Sequence, residues 1–153
     1  MKTMNYNGDV QFMRPIIGAW VEESNGDDFK IEINADVALK TLQDMANAPS
    51  STVILLMTDD LVVGFMGCYL YQSPVSYTMI ANESLWFVLP KYRGTSSLRL
   101  LKAAKTWAKN AGATHMTASA SKLASDKHDD VCKIYGKTMK LFETTYISEL
   151  GSV

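Results

Sequence analysis

The stretch LPKYRGTSSLRLL, residues 89–101, decides how the chain is read. An apolar run stops at Pro90, crosses a basic turn ending in Gly94, passes the hydroxyl residues Thr95, Ser96 and Ser97, and enters leucines spaced for a helix. A strand that hands over to a helix through small residues leaves backbone N–H groups without partners at the helix start, where the macrodipole is positive. Such a place suits a phosphate. The plainer reading is a turn with Ser96 or Ser97 as an ordinary helix cap and no ligand at all.

Working outward, residues 77–89 (YTMIANESLWFVL) predict a long strand ended by Pro90. Before it, STVILLMT and LVVGFMGCYLY are rich in β-branched and aromatic residues and flank a turn at Asp59 and Asp60, which predicts a hairpin. After it, a helix over 97–110 places Leu98, Leu101, Ala104 and Ala108 on one stripe with Trp107 beside it, and Gly112 stops it. Residues 113–120 (ATHMTASA) read as a strand, so strand, helix and strand form a crossover that needs a parallel pair. Ser125 caps a helix running to Lys137, with Asp126, Asp129 and Asp130 in its first turns, and the alternating tail MKLFETTYISEL predicts one or two further strands.

At the other end, residues 9–22 (DVQFMRPIIGAWVE) predict a helix interrupted by Pro15, followed by the acidic loop EESNGDD. Residues 35–47 predict a second helix, capped by Asn34, with Val37, Leu39, Leu42 and Met45 near helical spacing. Two helices thus precede the first strand. The order gives an α/β (mixed α+β) fold in one domain over 1–153, with one parallel junction after Pro90. Ligands in such sheets sit at the carboxyl ends of parallel strands, where residues 89–101 lie.

The whole-chain quantities narrow the function. A chain of 153 residues, 47% apolar and 20% charged, is of ordinary globular composition and long enough to bury a core. A net charge of -1 argues against general nucleic-acid binding. Cys68 and Cys132 are too few for a disulfide framework, and the two histidines, His115 and His128, have no metal-ligand spacing, so no metal is expected. The N-terminal MKTMNYNGDVQF has no signal-peptide core and no run has the apolar length of a membrane span, so a cytoplasmic location is expected.

Val88, Pro90, Tyr92, Arg93 and Gly94, followed by a leucine-rich helix, resemble the acetyl-CoA-binding segment of the GNAT N-acetyltransferases, V-x-P-x-[YW]-R-G and then R-x-x-G-x-[GA]. DLVVGF, residues 60–65, is similar to the family's preceding hairpin, and Tyr135 with the tail to Leu150 resembles its terminal Y-x-x-x-G-F and closing strands. The resemblance implies a mostly antiparallel sheet of six or seven strands, splayed at the central parallel pair and flanked by about four helices, with the pantetheine arm in the splay. It also implies acetyl transfer from acetyl-CoA, as co-substrate, to a primary amine of a protein or small molecule by direct attack.

Carried over by position, the resemblance assigns Trp86, Phe87 and Val88 to the strand edge that binds pantetheine and polarises the thioester. It assigns Gly94, Thr95, Ser96, Ser97, Leu98 and Arg99 to the pyrophosphate loop, with Lys91, Arg93 and Arg99 adding charge. Tyr135 matches the tyrosine that protonates the leaving thiolate. His128 stands where the family often places an asparagine near the cofactor. Departures are Ser96 and Leu98 for glycine and glycine or alanine, and Met139 and Lys140 for Gly-Phe.

Glu83 interrupts an apolar and neutral strand that feeds the motif and is the candidate base, although one bulge would exchange it with Asn82 or Ser84. His115 is the other titratable group of the next strand. The acidic run Glu22, Glu23, Asp27 and Asp28 either steers a cationic amine or is a solvated loop. A non-catalytic module that keeps the fold is the reading from another class. A homodimer is compatible with either.

Overall fold

The structure, a computed structural model, describes residues 1–151. A five-stranded sheet carries the strands in sequence order: β1 (Lys2–Asn5), β2 (Ser51–Thr58), β3 (Leu61–Gln72), β4 (Met79–Val88) and β5 (His115–Thr117). The first three pairings are antiparallel and β4–β5 is parallel. The helices are α1 (Val10–Glu23), α2 (Ala35–Asn47), α3 (Thr95–Asn110) and α4 (His128–Gly136), with single 3₁₀ turns at Gly26–Phe29 and Pro90–Tyr92.

β2 shows why the sheet is central: Thr52 to Met57 are all buried, so both faces are covered. On one face Val53, Leu55, Met57, Phe65 and Phe87 pack against Met13, Ile16, Ile17 and Trp20 of α1 and Leu39 and Leu42 of α2. On the other, Ile54, Leu56, Val63, Met66, Cys68 and Val88 pack against Leu100, Leu101 and Ala104 of α3 and Tyr135 of α4. The two helices before β2 and the two after β4 therefore form separate layers around one sheet.

Several expectations are corrected. β1 precedes the helices; its four residues are all exposed and polar or methionine-bearing, so no apolar alternation announces it. α1 runs unbroken through Pro15, which lies on the exposed side where water can satisfy the carbonyl that loses its partner, while the buried stripe holds the helix. α3 buries Leu101, Ala104 and Ala108 as expected, with Ser97 and Leu100 added, and leaves Leu98 out. β5 keeps only three residues of 113–120, and α4 starts at His128 because the Ser125 hydroxyl closes a turn on Lys127 N–H before the helix begins. Among the described residues the tail after Gly136 adds no strand, so the sheet has five strands rather than six or seven. Asn34 caps α2 as expected, accepting from Asp36 and Val37 N–H at 2.9 and 3.1 Å.

Gly64 marks a close approach of the sheet to α3. A Cβ there would lie 3.0 Å from Val88 Cγ2, 3.1 Å from the Phe87 carbonyl oxygen and 3.3 Å from Leu100 Cδ1. On the opposite face, a Cβ at Gly67 would meet the Met45 Cε at 3.0 Å, the free end of a flexible side chain. Gly64→Ala should therefore destabilise by about 1–3 kcal/mol and Gly67→Ala by less, read as urea midpoints. Equal midpoints for both variants would place the rigid contact elsewhere.

Candidate active site

The parallel β4–β5 ladder pairs Ile80 with His115, Ala81 with Met116 and Asn82 with Thr117, and then stops. The last rung is fastened by Thr117 Oγ1, which donates to Asn82 Oδ1 at 2.7 Å. Beyond it the strands part, and the first residue at the opening is Glu83.

Its face is set by a bulge. Gly67 pairs with Leu85 and Cys68 pairs with Glu83, so Ser84 has no partner on β3. Without that extra residue, period-two alternation would turn Glu83 toward α1 and α2. With it, Ser84 is exposed, its hydroxyl donating to the Gly67 carbonyl at 3.3 Å, and Glu83 is 4% exposed on the α3 and α4 side.

There Glu83 Oε2 accepts the Ser119 backbone N–H at 3.1 Å. The Tyr135 hydroxyl donates to the same oxygen at 3.4 Å, longer than a strong O–H···O bond, so the two groups stand adjacent and can part. Burial pushes the Glu83 carboxyl up to about 7, against the opposing pull of the Ser119 and Tyr135 donors. The same burial and the neighbouring carboxylate push the Tyr135 phenol far above its ordinary range, so it keeps its proton. Cys68, buried across the strand from Glu83, is pushed up to about 12 by burial and by that carboxylate and stays a neutral thiol. The Tyr135 ring lies 5.5 Å from that of Trp86, whose buried indole N–H has no partner among the described residues.

The β4 edge beyond Glu83 is open. Leu89 N–H donates to Val63 O, so by antiparallel alternation the N–H groups of Val88 and Trp86 face away from β3, into the opening. Phe87 turns its side chain to the α1 and α2 face. At the strand end Gly94 adopts φ 101 and ψ -136, a region only glycine visits easily, and begins α3 with no side-chain cap. The Thr95 and Ser96 N–H groups have no partner among the described residues, while Ser97 N–H returns to Gly94 O at 3.1 Å. The ordinary-cap reading of Ser96 or Ser97 therefore fails, and the helix start is free to take an anion. Leu98, at 44% exposure, and Arg99 stand beside it in solvent.

Arg93 does not join that loop. Its Nε donates to Val88 O at 2.8 Å and its Nη2 to both Glu23 carboxylate oxygens at 2.6 and 2.8 Å, with the guanidinium over the Phe87 ring. The expected charge contact is replaced by a brace between the end of α1 and the end of β4, and Glu23 leaves the acidic run for the same reason. Lys91 lies over the Tyr92 ring. His128 opens α4 at the rim, its Nδ1 3.1 Å from Asp129 Oδ1, on the stripe of α4 that continues through Cys132 to Tyr135. His115 is exposed at the far end of the parallel pair and takes no part. Residues not foreseen are Ser119, Cys68 and the Glu23 brace. Only Glu23 left a signal, as a charge at a helix end.

The sheet thus opens at one parallel pair, with a buried acid and phenol at the opening and an uncapped helix start beside it. The chain belongs to the GNAT acetyltransferase family: the model of the acetyltransferase (GNAT) family matches residues 17–136. No curated protein matches the sequence. Among solved structures, a ribosomal-protein-alanine N-acetyltransferase from Brucella melitensis biovar Abortus 2308 is similar with TM-score 0.74 at 13% identity, over 98% of this chain and 100% of that one. Aminoglycoside N-acetyltransferase AAC(6')-Iy in complex with CoA is similar with TM-score 0.75 at 15% identity, over 98% of this chain and 94% of that one. A transcriptional regulator from Bacillus halodurans C-125 gives TM-score 0.75 at 11% identity, over 97% and 99%. At these identities the likeness is one of fold. Among the described residues no helix is long and apolar enough to cross a membrane, and no three His, Cys, Asp or Glu side chains gather as a metal site.

Two outcomes are expected. Because the folded chain holds the Glu83 proton more tightly than the unfolded chain, that contribution to stability is complete below the ordinary carboxyl range and is lost as pH rises through about 7. Melting temperatures of the wild type should fall relative to Glu83→Gln over that window, and parallel curves would mean that Glu83 titrates as it does in water. Arg93→Ala should lower stability by about 2–3 kcal/mol, since it strands a half-buried carboxylate and a carbonyl. An unchanged urea midpoint would show the brace to be inert.

Proposed function

We propose that the chain is an acetyl-CoA-dependent N-acetyltransferase acting by direct attack of a primary amine, with Glu83 as base and Tyr135 as acid. The observation that carries this reading is the Glu83 carboxyl, poised at about 7 at the break of the β4–β5 ladder with the Tyr135 hydroxyl 3.4 Å away. A base near neutrality beside an acid that keeps its proton is the division of labour that amine acylation needs. Acetyl-CoA supplies the activated thioester.

The open β4 edge at Trp86 and Val88 offers N–H donors to the thioester oxygen, and the Trp86 indole N–H offers a third. The uncapped start of α3 at Gly94, Thr95 and Ser96 suits the diphosphate, with the exposed Arg99 and Lys91 adding charge. Ser97 is buried against the sheet and supports the turn, Leu98 flanks it, and His128 stands at the rim of α4. Glu83 takes the proton of the incoming ammonium. As the carbon–sulfur bond breaks and the carbon–nitrogen bond forms, Tyr135 gives its proton to the departing sulfur and regains one from the second N–H that the new amide sheds, while the proton taken by Glu83 passes to solvent. Glu22, Asp27 and Asp28 remain exposed after Glu23 is paired, which supports a cationic amine as acceptor.

A second reading is favoured by Leu98, an exposed side chain where the family pattern carries glycine or alanine: a fold that binds a partner without turnover. Calorimetric titration with CoA separates the two, since a catalyst must bind it. With binding in hand, thiol release is followed against a panel of primary amines. Glu83→Gln should cut kcat/KM by roughly 10²–10⁴-fold and remove the acid limb near neutrality, and Tyr135→Phe should lower kcat with little change in KM for acetyl-CoA. Turnover that survives both substitutions would overturn the assignment.

A further inference from the structure

The end of α1 is tied to both sides of the opening. Glu23, its last residue, is held by Arg93 at the end of β4. Two residues on, Asn25 takes the other side, the loop 119–127 that follows β5. Its backbone N–H donates to the Leu123 carbonyl at 2.8 Å, and its side-chain amide donates to the Lys122 carbonyl and to Asp126 Oδ1, both at 2.9 Å. Two acceptors facing one amide fix its nitrogen there. Among the described residues, the hydrogen bonds that tie this loop to other elements, apart from the one that opens α4 at Val131, end on Asn25 or on Glu83.

Asn25 is presented by a rigid turn. Gly26 is buried, and a Cβ there would collide with the Ile31 carbonyl oxygen and lie 2.8 Å from Ile33 Cγ1, so the chain closes on itself just after Asn25. The Ile31 N–H returns to Gly26 O at 2.9 Å, and the Ser24 hydroxyl donates to Val21 O at 2.7 Å. The loop 119–127 closes only short turns of its own, with Leu123 N–H on the Ser121 hydroxyl and Lys127 N–H on that of Ser125. The turn is the anchor and the loop is what it holds.

We propose that Asn25 is a positioning residue, which fastens the loop 119–127 to the end of α1 and so keeps the Ser119 N–H on the Glu83 carboxyl and water away from it. The Ser119–Glu83 bond is the loop's other attachment, and without Asn25 it alone would hold the loop in place. Tyr135 from α4 and Cys68 from β3 are the titratable groups that face Glu83, and both keep their protons, so neither masks a change at the carboxyl. Release of the loop acts on Glu83 in two senses: losing the Ser119 donor raises its proton affinity, and the entry of water lowers it. Burial is the larger influence, so the net change is downward, toward the ordinary carboxyl range. The consequence for turnover rests on the reading of Glu83 as base, whereas the latch itself does not.

The test follows the Glu83 carboxyl by infrared titration of the full chain, with Glu83→Gln as the blank, together with hydrogen exchange across 119–127. Asn25→Ala should lower the titration midpoint by about one unit or more and speed exchange in the loop roughly tenfold. The acid limb of the kcat profile should move down with the midpoint while KM for acetyl-CoA holds, because Arg93 still shapes the cofactor end. Asn25→Asp sets a carboxylate against Asp126 and should do more. Adding Asp126→Asn restores donor and acceptor in exchanged places and should recover part of both readouts, which a simple defect in the turn would not allow. An unchanged midpoint in Asn25→Ala overturns the proposal, and so does a double variant no better than Asn25→Asp alone. If Asn25→Ala fails to fold, Asp126→Ala, at an exposed position, tests the latch from the loop's side: both readouts should move the same way by less, and no movement overturns the proposal. A midpoint that moves while the pH profile of turnover stays put supports the latch and removes Glu83 as the base.

Discussion

A carboxylate inside an apolar layer is tolerated only where donors meet it and where its charge can be given up near neutral pH. Glu83 meets both conditions because the β4–β5 ladder ends one residue before it. The freed Ser119 N–H, which has no carbonyl opposite, turns to the Glu83 oxygen instead. Had the pairing continued, the acid would have had no backbone donor and the sheet no opening. The break in the ladder, the buried acid and the exposed β4 edge are one structural event.

A separate requirement is the extra residue at Ser84. It is a local defect in pairing with a long-range effect, because it sends a single side chain from the α1 and α2 layer to the layer that holds Tyr135. Gly67, opposite the defect, admits the bulge hydroxyl and the end of Met45 where a side chain would crowd both. The chemistry proposed for the site depends on it.

Around that centre the chain is braced rather than crowded. Arg93 ties the end of β4 to the end of α1 through Glu23, which holds the turn while Gly94 redirects the backbone into α3. The guanidinium thus shapes the loop whose N–H groups are left free, and does so without facing them. On the opposite flank the tail beyond Met139 is tied by the exposed Lys30–Glu149 ion pair, a weaker hold than the Arg93 brace.

Residues 89–101 determined the strand, the turn and the helix by themselves, because Pro90, the positive φ at Gly94 and the following leucines are local constraints that act wherever the chain is placed. Asn34 as a cap and the Asp59–Asp60 hairpin were legible for the same reason. β1 was not, since four exposed residues take their strand form entirely from β2, and Pro15 misled because its effect depends on which side of α1 meets water. The face of Glu83 lay beyond local reading: it follows from the register of β3 against β4, a property of two strands together. The partner of Arg93, some seventy residues earlier in the chain, and the donor at Ser119 are decided likewise by packing. Sequence carries the chemistry of each side chain, but which side chains meet is set by long-range pairing, and no local pattern encodes that.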